Sequence, residues 1–155
     1  LPEGARRAAG EAFLAREPEL TKAMRAEMLG AAMAILEDAD LSELFQPGGR
    51  AEAPIIGTSP KLPDGMIING RVDRLVVTPA RVLVIDFKTD QPAPDDVRDV
   101  ATGYITQMAA YAAVLESAYP DREIVAVLCW TDGPRMMRIP PGMLSEHLNN
   151  ALRVV

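Results

Sequence analysis

Apolar residues recur at helical spacing between Glu19 and Asp38, where Leu20, Met24, Met28, Ala31 and Ile35 fall on one stripe. The spacing predicts one long amphipathic helix, with methionines filling core gaps because the flexible thioether adapts to irregular packing. A shorter helix is expected in R-R-A-A-G-E-A-F-L-A-R, broken near Pro18, and a brief helical turn at L-S-E-L-F is stopped by P-G-G. From residue 50 the period becomes that of strands. R-A-E-A-P-I-I-G reads as an edge strand, since proline cannot donate to a neighbouring strand. M-I-I-N-G-R-V-D-R-L-V-V, T-P-A-R and V-L-V-I-D-F-K-T read as strand, tight turn and strand, a β-hairpin with polar groups on both arms. After the loop Q-P-A-P-D-D, a helix is expected from about Val97 or Gly103 to Ala118. The following E-I-V-A-V-L-C-W-T is apolar enough for a central strand covered on both faces. A turn at D-G-P, a short strand R-M-M-R-I and a helix from about Gly142 to Leu152 complete the pattern. This order predicts the α/β class, with a mixed central β-sheet flanked by helices over one domain, residues 1–155. Residues 1–45 form a helical lead-in and 50–155 the core.

The second hairpin arm poses a chemical question. Alternation puts Leu83, Ile85 and Phe87 on one face and Val84, Asp86 and Lys88 on the other. An acid and a lysine side by side could be an ordinary ion pair on a wet strand face, contributing ~0.5 kcal/mol. The first arm supplies a second reading. A tight connection from Thr78 to Arg81 brings Asp73 across from Asp86, and two carboxylates converging beside a lysine suit a divalent cation. Such a cation would bind a phosphate oxygen and lower the pKa of a bound water, while Lys88 would orient that water or steady developing negative charge.

Composition narrows the class. The 155 residues are 48% hydrophobic and 25% charged, with net charge -6 and a sequence pI of about 4.8. That balance argues against gripping nucleic acid through a broad basic surface, yet suits a metal site to which substrate is delivered. One cysteine, Cys129, excludes a disulfide framework within the chain and fits a reducing, cytoplasmic setting; it is expected as a small buried hydrophobe. No apolar run approaches the ~20 residues of a membrane helix, so no membrane partner is expected. The N-terminus lacks a signal-peptide core and an initiating methionine, which suggests an excised fragment. No G-x-x-x-x-G-K-[ST] occurs, so ATP is not an expected ligand.

G-R-V-D-R, then V-I-D-F-K-T, then Q-M-A-A-Y resembles the motif order of the PD-(D/E)xK nuclease superfamily, and in particular the RecB-like nuclease domain. It is most similar to the C-terminal nuclease domain of the AddA subunit of bacterial AddAB helicase-nucleases, from about Leu41 to Pro134. The resemblance implies a restriction-endonuclease-like fold and metal-dependent deoxyribonuclease activity, of exonuclease type, in double-strand break repair. It implies metal binding by Asp73, Asp86 and the Phe87 backbone carbonyl, with Lys88 catalytic. The cofactor implied is Mg²⁺, for which Mn²⁺ can substitute. The implied partners are DNA ends and single strands delivered by a helicase, the helicase portion of the same polypeptide, and an AddB-type subunit in the bacterial cytoplasm.

Gln107 and Tyr111 match the Q-x-x-x-Y motif; one helix face carries both, where they brace the metal site, touch the DNA strand, or simply bury a satisfied tyrosine hydroxyl. Glu52 in A-E-A-P-I matches an acid found on the preceding strand, although it also reads as a solvated strand acid. Arg74 is open between a phosphate contact and a neighbouring acid. Related domains carry a histidine ligand on an earlier helix, commonly in H-R-L-L, whereas the one histidine here, His147, is expected to cap or pack a terminal helix. Weak metal binding and slow cutting are therefore expected. Trp130 is expected in the core, and D-D-V-R-D in a solvated loop. The alternative function is an inactive nuclease-fold module serving as a docking surface in the helicase complex.

Overall fold

Two helices, α1 (Glu3–Leu14) and α2 (Lys22–Glu37), lead the chain and are separated around Pro18. The computed structural model describes residues 2–37, 42–45, 48–131 and 135–153; the D-G-P turn, Asp38, Leu41 and Pro47 lie outside them. A single 3₁₀ turn at Ser42–Phe45 precedes three consecutive strands, β1 (Arg50–Gly57), β2 (Ile68–Val77) and β3 (Arg81–Lys88). Helix α3 (Thr102–Ala118) then leads to β4 (Glu123–Trp130), β5 (Arg135–Arg138) and α4 (Pro141–Leu152). The sheet order is β1-β2-β3-β4-β5. Among the described strands only β3 and β4 pair in parallel, and α3 is the crossover their shared direction requires. The architecture is the mixed α/β sheet with flanking helices that the pattern predicts.

The hairpin closes where T-P-A-R places it. The Thr78 N–H donates to the Arg81 carbonyl at 2.9 Å, and the Thr78 hydroxyl accepts the Arg81 N–H at 3.0 Å. Strand alternation then divides the core. Val82, Val84, Ala126, Leu128 and Trp130 pack with Met108 and Ala112 of α3 and Leu144 and Leu148 of α4. Leu83, Ile85, Val127 and Cys129 point the other way, toward Ile35 and Leu44. Strand β4 is thus covered on both faces, and Cys129 and Trp130 are buried. Strand β1 is an edge whose Pro54 is exposed.

The long N-terminal helix departs from its predicted role. Met24 and Met28 are 45% and 49% exposed, while Met33 and Ile35 are buried. The reason is where α2 reaches the sheet. It joins that core layer through Ile35 near its C-terminal end, and otherwise packs along α1, where Arg6 donates to the Leu36 carbonyl at 3.2 Å. The helices approach closely at Gly10, because a Cβ there would stand 2.6 Å from the Leu29 Cδ1. A periodic stripe specifies a face, but the neighbour that covers it is set by packing.

Candidate functional site

Val84, Asp86 and Lys88 share the face of β3 that lies under α3, so the acid and the lysine are not on a wet surface. Their side chains are only 10% and 12% exposed, and Lys88 Nζ pairs with Asp86 Oδ2. Burial removes the surface ion-pair reading. Desolvating two charges costs about as much as their attraction returns, so apolar residues of similar volume would hold this strand as well.

Asp73 is set against the same stretch by the hairpin. The β2 and β3 ladder ends at Arg74↔Ile85, and Asp73 follows directly beyond that last pair. Its Oδ2 accepts the Phe87 N–H at 2.6 Å, so a carboxylate stands where a strand carbonyl would ordinarily receive that hydrogen bond. The backbone is irregular here. Val72 and Leu75 enter the same core layer although alternation would separate them, and on the neighbouring strand Glu52 takes a φ of +50°. The interruption turns Asp73 toward the end of β3.

Helix α3 closes the site from above. Gln107 Nε2 donates to the Tyr111 hydroxyl at 3.2 Å, and Tyr111 is buried. Tyr111 lies directly over Gly70 of β2, where an added Cβ would come 2.3 Å from the hydroxyl oxygen and 2.6 Å from Cε1. Gly70→Ala is therefore expected to displace the ring and lower unfolding stability by about 1–3 kcal/mol. Denaturant titration beside the parent protein checks it, and an unchanged midpoint would show that Tyr111 moves freely.

With this arrangement in view, comparison with known proteins becomes informative. The family model described as the PD-(D/E)XK nuclease superfamily matches residues 3–140. The chain belongs to this superfamily. A solved structure titled "Crystal structure of SSO0001" is similar at a TM-score of 0.40 and 13% identity, covering 97% of this chain and 71% of that one. No curated protein matches the chain. The PD-(D/E)XK name denotes two acids and a lysine; here Lys88 pairs with Asp86, and the Asp73 carboxylate accepts from the N–H of Phe87, the residue between them in sequence.

Other candidates fall elsewhere. The Glu52 carboxylate lies 3.6 Å from Arg71, both side chains 66% exposed, on the edge strand. Among the described residues no cluster of three or more His, Cys, Asp or Glu side chains forms, so Glu52 does not complete a three-acid centre. Arg74 Nε donates to the Leu44 carbonyl, and its guanidinium lies 5.2 Å from the Phe45 ring centroid. Burial lowers its pKa. His147 is half-buried on α4. In the D-D-V-R-D run, Asp96 caps a short 3₁₀ turn, Val97–Asp99, and accepts from Arg98.

Two residues near Lys88 escaped sequence reasoning. Lys88 Nζ lies 3.9 Å from the centroid of the Tyr104 ring, and the Tyr104 hydroxyl bonds to the Asp90 carboxylate, 3.1 Å from one oxygen and 3.0 Å from the other. A signal was present. Tyr104, Gln107 and Tyr111 are spaced i, i+3, i+7 along α3 and so share one helix face.

The donor set suits a hard divalent cation. The carboxylates of Asp73 and Asp86 and the Phe87 carbonyl would supply only oxygen, and Mg²⁺ typically takes one or two carboxylates while keeping several waters. Superfamily members typically use divalent metals, and nothing in this set favours a softer ion.

Proposed function

We propose that this chain is a Mg²⁺-dependent deoxyribonuclease domain that hydrolyses phosphodiester bonds at DNA ends. The observation supporting it most directly is the Asp73 carboxylate held against the Phe87 N–H, between Asp86 and Lys88. Asp73, Asp86 and the Phe87 carbonyl would hold the cation. When bound, it would supply a Lewis acid for the scissile phosphate and acidify a water. Lys88 would hold that water or the developing charge by hydrogen bonding, and α3 would screen the pair from bulk solvent. Gln107 and Tyr111 would keep the roof of the site in register with β2 through the contact at Gly70.

The same reading places the domain among RecB-like nucleases, nearest the AddA type, and this rests on the motif order ending in Q-x-x-x-Y. Its substrate would then be DNA ends and strands delivered by a helicase portion of the same polypeptide, with an AddB-type partner subunit in the bacterial cytoplasm. An acidic chain with no broad basic surface is consistent with delivered substrate.

The test is degradation of end-labelled linear DNA. Cleavage is expected with Mg²⁺ and not after chelation, and Gln107→Ala is expected to cut more slowly with little change in melting temperature. Cleavage that survives chelation would refute a metal mechanism. A collapse in the melting temperature of Gln107→Ala would make that residue structural instead.

A further inference from the structure

Lys88 has two partners, and they differ in what they can give up. One is the Asp86 carboxylate, which the nuclease reading also requires as a cation ligand. The other is the face of the Tyr104 ring, 3.9 Å from Nζ to the centroid. A divalent cation arriving at Asp86 would draw on the carboxylate's charge and repel the ammonium. An unsupported lysine would swing away on its flexible stem. The ring face attracts an ammonium through its quadrupole but offers a hard cation no carboxylate oxygen, so it is a partner the metal does not take.

The ring is itself fixed. Its hydroxyl is tied to Asp90, two residues beyond Lys88, and its backbone lies in the first turn of α3. Asp90 and Tyr104 therefore bracket the connection between β3 and α3, spanning it with a side-chain hydrogen bond. That bond also raises the Tyr104 pKa, foremost because the Asp90 carboxylate accepts the phenolic proton in a hydrogen bond. Among the described residues, no other aromatic ring faces the Lys88 ammonium.

We propose that Tyr104 is a positioning residue, whose ring face retains the Lys88 ammonium beside the reacting phosphate when a divalent cation engages Asp86, with Asp90 anchoring the ring. The proposal rests on the nuclease reading of Asp73, Asp86 and Lys88. It assigns the essential part to the ring and a supporting part to the hydroxyl.

Two measurements on the 155-residue chain decide it. The first is NMR of protein carrying ¹³C-labelled lysine, with Lys88 assigned by its loss in Lys88→Arg. Ring current should move the Lys88 ε-protons upfield in the parent and in Tyr104→Phe, but not in Tyr104→Leu, and the shift should persist at saturating Mg²⁺. A Lys88 signal that returns to the ordinary lysine position on adding Mg²⁺, while neighbouring signals report binding, overturns the proposal alone. No Mg²⁺-dependent change anywhere would overturn the nuclease reading and the proposal with it. The second measurement is cleavage kinetics. Tyr104→Leu should lose about tenfold in kcat with KM little changed, and Tyr104→Phe should stay within about twofold of the parent. A Phe variant as slow as the Leu variant would transfer the role to the hydroxyl and overturn the assignment to the ring.

Discussion

Lys88→Met is expected to lower the rate of DNA cleavage by about 10²- to 10³-fold, the usual effect of removing one preorganised donor from developing negative charge. Methionine keeps most of the unbranched stem that lies under α3 and deletes only the ammonium. Lys88 and Asp86 are nearly buried and paired, so the deletion leaves the Asp86 carboxylate without its partner. Without metal the variant should therefore be less stable than the parent. With metal the order of effects reverses, because the ammonium that competes for Asp86 is gone and Mn²⁺ should bind at least as tightly. Cleavage assays, thermal melts and a Mn²⁺ titration on one preparation separate these effects. Unchanged cleavage would remove Lys88 from the chemistry and return it to packing.

Asp86→Ala carries the second large expectation, and it concerns binding as much as rate. Calorimetric titration of Mn²⁺, standing in for the more weakly held Mg²⁺, should show binding to the parent chain that vanishes in the variant. The substitution also strands the Lys88 ammonium beneath α3 with only the Tyr104 ring beside it. Breaking a buried pair from one side typically costs about 3–5 kcal/mol, so a loss of about 3 kcal/mol is expected here. The double variant Asp86→Ala with Lys88→Met should recover much of that stability while remaining unable to bind Mn²⁺. Recovery identifies the cost as an uncompensated charge. Persistent Mn²⁺ binding in Asp86→Ala would put the metal elsewhere and sink the assignment. Absence of binding in the parent as well would overturn the metal assignment and leave the pair structural.

The architecture was largely legible in the chain because period and turn chemistry are local. The T-P-A-R turn, the edge strand carrying Pro54 and the apolar β4 stand where their patterns place them. The alternation that separates Asp86 and Lys88 from Phe87 is likewise a two-residue property of any strand. The site was legible in part. Asp73, Asp86 and Lys88 could be named from their motifs, and Gln107 and Tyr111 from their spacing, which the hydrogen bond between them matches. Glu52 could be named equally well, yet it lies on an exposed edge beside Arg71, at a φ that alternation does not foresee.

The sequence by itself determined the order of elements, the hairpin and which face of β3 carries the acid and the lysine, since each follows from neighbours within a few residues. Only the tertiary structure decided that this face is buried under α3, and this burial turned an ordinary surface pair into a candidate centre. It also decided that Asp73 accepts the Phe87 N–H, that Tyr111 needs the bare backbone of Gly70, and that Tyr104 covers Lys88 while bonding Asp90. It left Met24 and Met28 exposed although their spacing matches a core stripe. The physical reason is common to all of these. Periodicity fixes the direction of a side chain relative to its own element, whereas burial, pairing and close approach depend on which distant element packs against it.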